Sequence, residues 1–279
     1  MSAPLRVAVS GAAGRMGRAV VRAVCQQADL QLVAAFGRQR HLGEDAGVVA
    51  GVGPAGVAIQ PAEAIPQLRG RADVLVEFSV GDPALANAAR AAEAGVRPVV
   101  GATGYGPDSL EALRQACARA GVGGVVAPNF ALGAVLLMRF CQLAAPYFPH
   151  AEVVELHHDR KRDAPSGTAL RTAELIARAR GTAPQPAVAE EEKVAGARGG
   201  VHHGVRVHSV RLPGLVAHQE VLSGGPGQVL SLRHDAYSEE SFLPGVLLAV
   251  RRVVGLSELV VGLEHLLDTQ ATSHSEEAR

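Results

Sequence analysis

Residues 5–25, LRVAVSGAAGRMGRAVVRAVC, decide the architecture. LRVAVS (5–10) has the composition of a short buried strand, and the run from Arg15 to Ala28 has helical periodicity. Between them stand Gly11, Gly14 and Gly17. A strand, a glycine turn and a helix in that order let backbone N–H groups and a helix N-terminus meet a pyrophosphate. The spacing is G-x-x-G-x-x-G rather than the commoner G-x-G-x-x-G, so an ordinary glycine turn in a βα unit competes with the dinucleotide reading.

Working outward, LQLVAAF (30–36) is the next strand. Its end is where a dinucleotide site places an acidic side chain for the ribose 2′-hydroxyl. The sequence there is AAFGRQR (34–40): Gly37 lacks a carboxylate, and Arg38 and Arg40 offer cations to a 2′-phosphate. NADPH is the expected cofactor and NADH a possible one, although arginines after a strand are also ordinary surface residues. A glycine-rich loop follows (Gly47, Gly51, Gly53, Gly56), then ADVLVEFS (72–79), a helix over 83–94, VRPVVGA (96–102), a helix over 109–120 and VGGVVAP (122–128). These strands are short, Val-rich and apolar on both faces, as in a doubly wound parallel α/β sheet.

Beyond Asn129 the rhythm changes. A helix over 132–144 precedes AEVVELHHD (151–159), a helix over 166–180 and a polar, mobile loop over 181–200. GVRVHSVRL (204–212), GLVAHQEVLSG (214–224) and GQVLSLRHD (227–235) then follow with short turns, which suits an antiparallel or mixed sheet in an α+β domain. Residues 242–254 return to a helical pattern that can pack back on the first domain. The expected division is 1–128 with 242–279 for the dinucleotide and 129–241 for the substrate, with hinges near Asn129 and Ser241.

Composition narrows the function. Lys and Arg number 27 and so do Asp and Glu, so no net field draws the chain to nucleic acid or an anionic membrane. The chain is 48% hydrophobic with mean hydropathy +0.15. No apolar run approaches the roughly 18 residues that cross a bilayer. MSAPLRVAVSGAAG (1–14) has no signal-peptide character, and Cys25, Cys117 and Cys141 read as small buried hydrophobes in helices. A cytoplasmic enzyme fits.

Against that neutral background VVELHHDRKRDAPSGTAL (153–170) gathers imidazoles and cations. His157 and His158 are adjacent on an expected strand, so their side chains point to opposite faces and cannot both hold one ion. That disfavours a zinc site built from them with His202 and His203, and no metal is expected. Ser166 reads as an N-cap, with the amides of Gly167 and Thr168 turned to an anion. The set describes a carboxylate pocket, against the plainer alternative of a strand, turn and capped helix.

ELHHDRKRDAPSGTAL (155–170) resembles the signature of the 4-hydroxy-tetrahydrodipicolinate reductases, the dihydrodipicolinate reductases of bacterial lysine and diaminopimelate synthesis. The likeness extends to GAAGRMG (11–17), GATGY (101–105), APNFALG (127–133) and the region from His208 to Asp235. It implies a Rossmann-type domain, a substrate and oligomerisation domain of a homotetramer, and NAD(P)H-dependent reduction of a cyclic imine dicarboxylate. It further implies that Gly11, Ala12, Ala13, Gly14, Arg15 and Met16 line the pyrophosphate. Gly101, Ala102, Thr103, Ala127, Pro128, Asn129 and Phe130 would flank the nicotinamide. His158, Ser166, Gly167 and Thr168 would bind substrate, with His157 and Lys161 as the catalytic pair.

Two positions depart from the pattern. NADH-using members often carry an acidic residue where Gly37 stands, and Ala102 replaces the Thr of the usual GTTG. Two other readings compete: a different nucleotide-dependent dehydrogenase, such as an amino-acid or semialdehyde dehydrogenase, and a non-catalytic NADP sensor. The first would need a different constellation at 157–168, and the second would need no proton donor in a carboxylate pocket.

Overall fold

Val7 to Ser10, Val74 to Glu77 and Val99 to Val100 are wholly buried, because helices cover both faces of the sheet they build. The computed structural model describes residues 3–181 and 191–267, and the chain divides into two units, 1–130 with 242–279 and 131–241. Part of the 181–200 loop, residues 182–190, and residues 268–279 of the expected nucleotide domain lie outside the described residues.

The first unit begins with β1 (Leu5–Ser10), α1 (Arg15–Cys25), β2 (Leu30–Gly37), α2 (Ala46–Ala50) and β3 (Ile59–Pro61). It continues with β4 (Val74–Glu77), α3 (Asp82–Glu93), β5 (Arg97–Val100), α4 (Pro107–Ala120) and β6 (Gly124–Val126). The second unit holds α5 (Leu132–Ala144), β7 (His150–His157), α6 (Gly167–Arg180), β8 (Gly200–His202), β9 (Val205–Arg211), β10 (Ala217–Gly225) and β11 (Gln228–Ala236). The chain then returns to the first unit with α7 (Leu243–Val253) and β12 (Leu259–Val261).

The first sheet is parallel throughout, in the order β12-β6-β5-β4-β1-β2-β3. The winding reverses between β1 and β4, which makes the carboxyl edge there the natural place for a ligand. Phe130 packs on Phe78 with ring centroids 5.8 Å apart, so the first unit extends through residue 130.

Three expectations need correction. The glycine-rich loop contains α2, because Asp45 caps Gly47 and Val48 and also accepts the amides of Ala55, Gly56 and Val57. Helix α1 ends at Cys25 rather than Ala28: the Asp29 carbonyl accepts from Leu5 and its carboxylate holds Arg251, so residues 26–29 turn into β2. That early end leaves Cys25 exposed, whereas Cys117 and Cys141 are buried and burial pushes their thiols up to about 11 and about 12.

The second sheet has the order β11-β10-β7-β9-β8, with β7 and β9 parallel and the other pairs antiparallel, so it is mixed. Leu137 and Cys141 of α5 and Ala169, Ala173 and Ile176 of α6 pack on Val153, Val205, Val207 and Val221. Among the described residues, no helix is long and apolar enough to cross a membrane.

Candidate functional site

At the β1–α1 turn the glycines are there for close approach. Gly11 has φ +75°, and a Cβ on Gly17 would stand 2.0 Å from the Gly11 carbonyl oxygen. Only glycine lets α1 start so close under the strand end. Gly14 is the N-cap, with no side chain spent on capping and no acidic residue in the first turn. The open helix start is suited to a pyrophosphate.

A cleft of about 810 Å³ opens in this unit along the end of β1, the Gly37 to Arg40 segment and the end of β4. Gly11, Ala13, Gly14 and Arg38 line it. Ala12 is buried beneath, its amide bonded to the Phe36 carbonyl, while Arg15 is exposed and Met16 half-buried at the start of α1. Gly101 to Thr103 and Ala127 to Phe130 stand outside the cleft lining, directly after β5 and β6 on the same carboxyl edge. Gly101 donates to the Glu77 carbonyl and Ala127 to that of Val100, so both segments prolong the ladder. Ala102, Ala127 and Phe130 are buried, Asn129 is half-buried, and Thr103 and Pro128 are exposed.

Sequence reasoning missed Glu77. Its buried carboxylate accepts the Ser79 amide at 2.6 Å and the Asn87 side chain at 3.0 Å, and both partners line the cleft. A lone carboxylate closing an otherwise apolar strand, VLVE, is the signal that could have found it.

In the second unit, strand β7 alternates so that Val153, Glu155 and His157 share the face covered by α6. The strand ends at His157, so His158 lies just past it rather than on it, and the buried His158 Nδ1 has no hydrogen-bond partner. His157 Nδ1 bonds to Glu155 Oε2. An ionised carboxylate only accepts, so Nδ1 carries the proton and Nε2 is left to face an outside partner.

Glu155 is the anchor. Arg211 grips both its oxygens at 2.7 and 2.9 Å, and the Ser166 amide donates to Oε1 at 3.2 Å. Burial pushes this carboxyl up, but the hydrogen bonds from His157, Arg211 and Ser209 outweigh it and hold the group at about 2. The parallel register places Ser209 beside Glu155 and Arg211 beside His157. Glu155 was legible as the same-face neighbour two residues before His157; Arg211, 54 positions on from His157, needed the strand register.

Ser166 is buried; its hydroxyl oxygen caps the Ala169 amide at 3.2 Å, so it sets the start of α6. Gly167 is exposed and Thr168 half-buried in that first turn. Lys161 Nζ pairs with Asp163 at 2.7 and 2.8 Å, and the Asp163 carbonyl accepts from Arg211 at 2.8 Å. Through Arg211 the Lys161–Asp163 loop and the Glu155–His157 pair form one network. His202 and His203 are not brought to His157 and His158; they group with Glu174.

Comparison with known proteins bears on both units. Residues 5–130 match the family described as dihydrodipicolinate reductase, N-terminus, and residues 133–267 match its C-terminus counterpart. A 4-hydroxy-tetrahydrodipicolinate reductase of Moorella thermoacetica is 54% identical over 268 residues, covering 96% of this chain and 100% of the relative. One from Desulfitobacterium hafniense is 49% identical over 265 residues, covering 95% and 99%. A solved dipicolinate-bound dihydrodipicolinate reductase from Paenisporosarcina sp. TG-14 superposes with TM-score 0.82 at 39% identity, covering 94% of this chain and 99% of that one.

Proposed function

The chain belongs to the dihydrodipicolinate reductase family, and from that premise we propose how its residues divide the work. It is an NAD(P)H-dependent oxidoreductase that reduces 4-hydroxy-tetrahydrodipicolinate, via dihydrodipicolinate, to tetrahydrodipicolinate in lysine and diaminopimelate synthesis. Gly11 to Met16 hold the pyrophosphate, and the glycine cradle, which a Cβ would fill, supports that placement. Gly101 to Thr103 and Ala127 to Phe130 flank the nicotinamide. When bound, the cofactor supplies the hydride.

Hydride arrival at a conjugated imine pushes negative charge onto a ring that already carries two carboxylates, so the pocket must supply cations and N–H donors. Lys161, His158, Ser166, Gly167 and Thr168 hold the carboxylates; Lys161 already pairs with one, that of Asp163. With Nδ1–H held by Glu155, His157 in its doubly protonated imidazolium form gives the Nε2 proton to the product and is left as the neutral Nδ1–H ring. The observation that carries this assignment is the His157–Glu155–Arg211 network beside Lys161. Mixing the pure protein with NADPH and the condensation product of pyruvate and aspartate semialdehyde tests it: nicotinamide absorbance should fall, and a flat trace refutes the activity.

Two finer assignments are part of the proposal. Arg38, exposed on the rim of the cleft, answers the 2′-phosphate, so NADPH is preferred over NADH. Arg38→Ala should raise KM for NADPH about 10-fold while NADH kinetics stay put; equal loss with both cofactors would remove the assignment. The alternative variant Gly37→Glu must move Ile59, whose Cγ2 would lie 3.0 Å from the new Cβ.

A pocket that reads two carboxylates at fixed spacing should be blocked competitively by pyridine-2,6-dicarboxylate. Pyridine-2-carboxylate, lacking one anion, should bind at least about 10-fold more weakly; equal inhibition would mean unspecific anion binding.

The division into a nucleotide domain at 1–128 with 242–279 and a substrate domain at 129–241 belongs to the same proposal, as do cytoplasmic residence and a homotetramer. Leu136, Phe140 and Leu143 of α5 and Tyr147 beyond it are exposed at helical spacing, and Leu222 and Val229 are exposed on the sheet face away from α5 and α6. Apolar surface of that extent supports self-association.

A further inference from the structure

Outside the catalytic network, strand β8 ends at His202, a two-residue turn of His203 and Gly204 follows, and β9 begins at Val205. Both turn residues have positive φ, 51° and 73°. Such a turn most often carries Asn, Asp or Gly at its first position, and histidine is among the few other residues that tolerate positive φ, so the backbone can present an imidazole there. Its ring stands edge-on to that of His202, centroids 4.4 Å apart. Facing them from the second turn of α6 is Glu174.

The distances are informative. His202 Nε2 is buried and has no hydrogen-bond partner, yet it lies 3.6 Å from Glu174 Oε1. That is too long for a hydrogen bond. It is close to the edge of a tetrahedral metal site, about 3.3–3.4 Å when both bonds are about 2.0–2.1 Å. One ligand atom from each of Glu174, His202 and His203 falls within 4.8 Å of the others. Arg171 holds the other oxygen, Oε2, at 3.2 Å, which fixes the carboxylate with Oε1 turned toward the imidazoles.

We propose that Glu174, His202 and His203 form a binding site for a divalent cation of the zinc class, with water completing the coordination. Two imidazoles and a carboxylate suit zinc better than calcium or magnesium, which prefer all-oxygen shells. The ion would clasp the β8–β9 hairpin to α6. The site is separate from the reductase chemistry and does not depend on that reading.

Calorimetric titration of the untagged full chain with Zn²⁺ tests it. One site per chain is expected, and His202→Ala and His203→Ala should each weaken it by about 100-fold. Co²⁺ bound at the same place should show the visible bands of four-coordinate cobalt, lost in Glu174→Gln. Reductase activity with NADPH should be unchanged in all three variants, which also certifies their folding. Absence of a site in the parent protein, or undiminished zinc binding in the His202→Ala/His203→Ala double variant, overturns the proposal.

Discussion

His157→Gln and Lys161→Ala should each lower kcat by about 10²–10⁴-fold, the range for losing a positioned acid or a charge stabiliser. NADPH affinity and thermal stability should remain near those of the parent protein. The reason is location: the His157 side chain is 16% exposed and that of Lys161 21%, so neither truncation opens a sealed cavity. Gln at 157 can still donate to Glu155, so the anchor keeps a partner. Lys161→Ala releases Asp163, an exposed carboxylate that water can solvate. If Lys161 touches a substrate carboxylate in the ground state, KM rises with the loss of kcat; a loss in kcat alone assigns it to the transition state. Near-normal turnover in both folded variants would dismiss the pair.

Glu155→Ala should do something different, unfolding the second unit more readily as well as slowing the reaction. Removing one partner of a buried ion pair leaves the Arg211 guanidinium without its bidentate acceptor, at a cost of about 3–5 kcal/mol. Differential scanning calorimetry should show unfolding displaced downward from that of the parent protein by about 10 °C or more. A pH series separates charge from packing. The Glu155 carboxyl is depressed to about 2 from an ordinary 4.5, so its contribution is fully present above about pH 4.5 and is lost as pH falls toward 2. That contribution is on the order of 3 kcal/mol. The parent should therefore lose stability across that window and Glu155→Ala should lose less. Parallel curves would show that the carboxylate does not hold the unit together through its charge.

Periodicity and glycine placement made most of this molecule readable. LRVAVS, LQLVAAF and the 132–144 helix stand where their residues predict, since long or Val-rich runs carry their own signal. What escaped was short and borrowed its stability. β3, β8 and β12 have three residues each and exist because a neighbouring strand offers its ladder. β3 even ends in Pro61, tolerable because it lies at the sheet edge. α2 depended on one carboxylate, Asp45, collecting amides from both sides of a loop, and composition does not announce that. At the proposed catalytic centre His157 and Lys161 are close in sequence, while Arg211 and the Ser166 amide, which fix the Glu155 carboxylate, arrive through strand register and helix start.

The return of the chain to its first sheet has a cost during synthesis. β6 gains its outer neighbour only when residues 259–261 have been made, 133 residues after Val126 (259 − 126). α7, whose Val246, Ala249, Val250 and Val253 are buried, arrives little earlier. At about 5–20 residues per second the nascent nucleotide unit spends roughly 7–27 s with a bare parallel edge and an uncovered apolar face. The second unit is complete by Ser241, so it can fold while the first still waits. For the cell, the vulnerable species is thus a chain made past Ser241, whose second unit can fold while its first still lacks α7 and β12. Chaperone demand should then concentrate on the segment that was synthesised first.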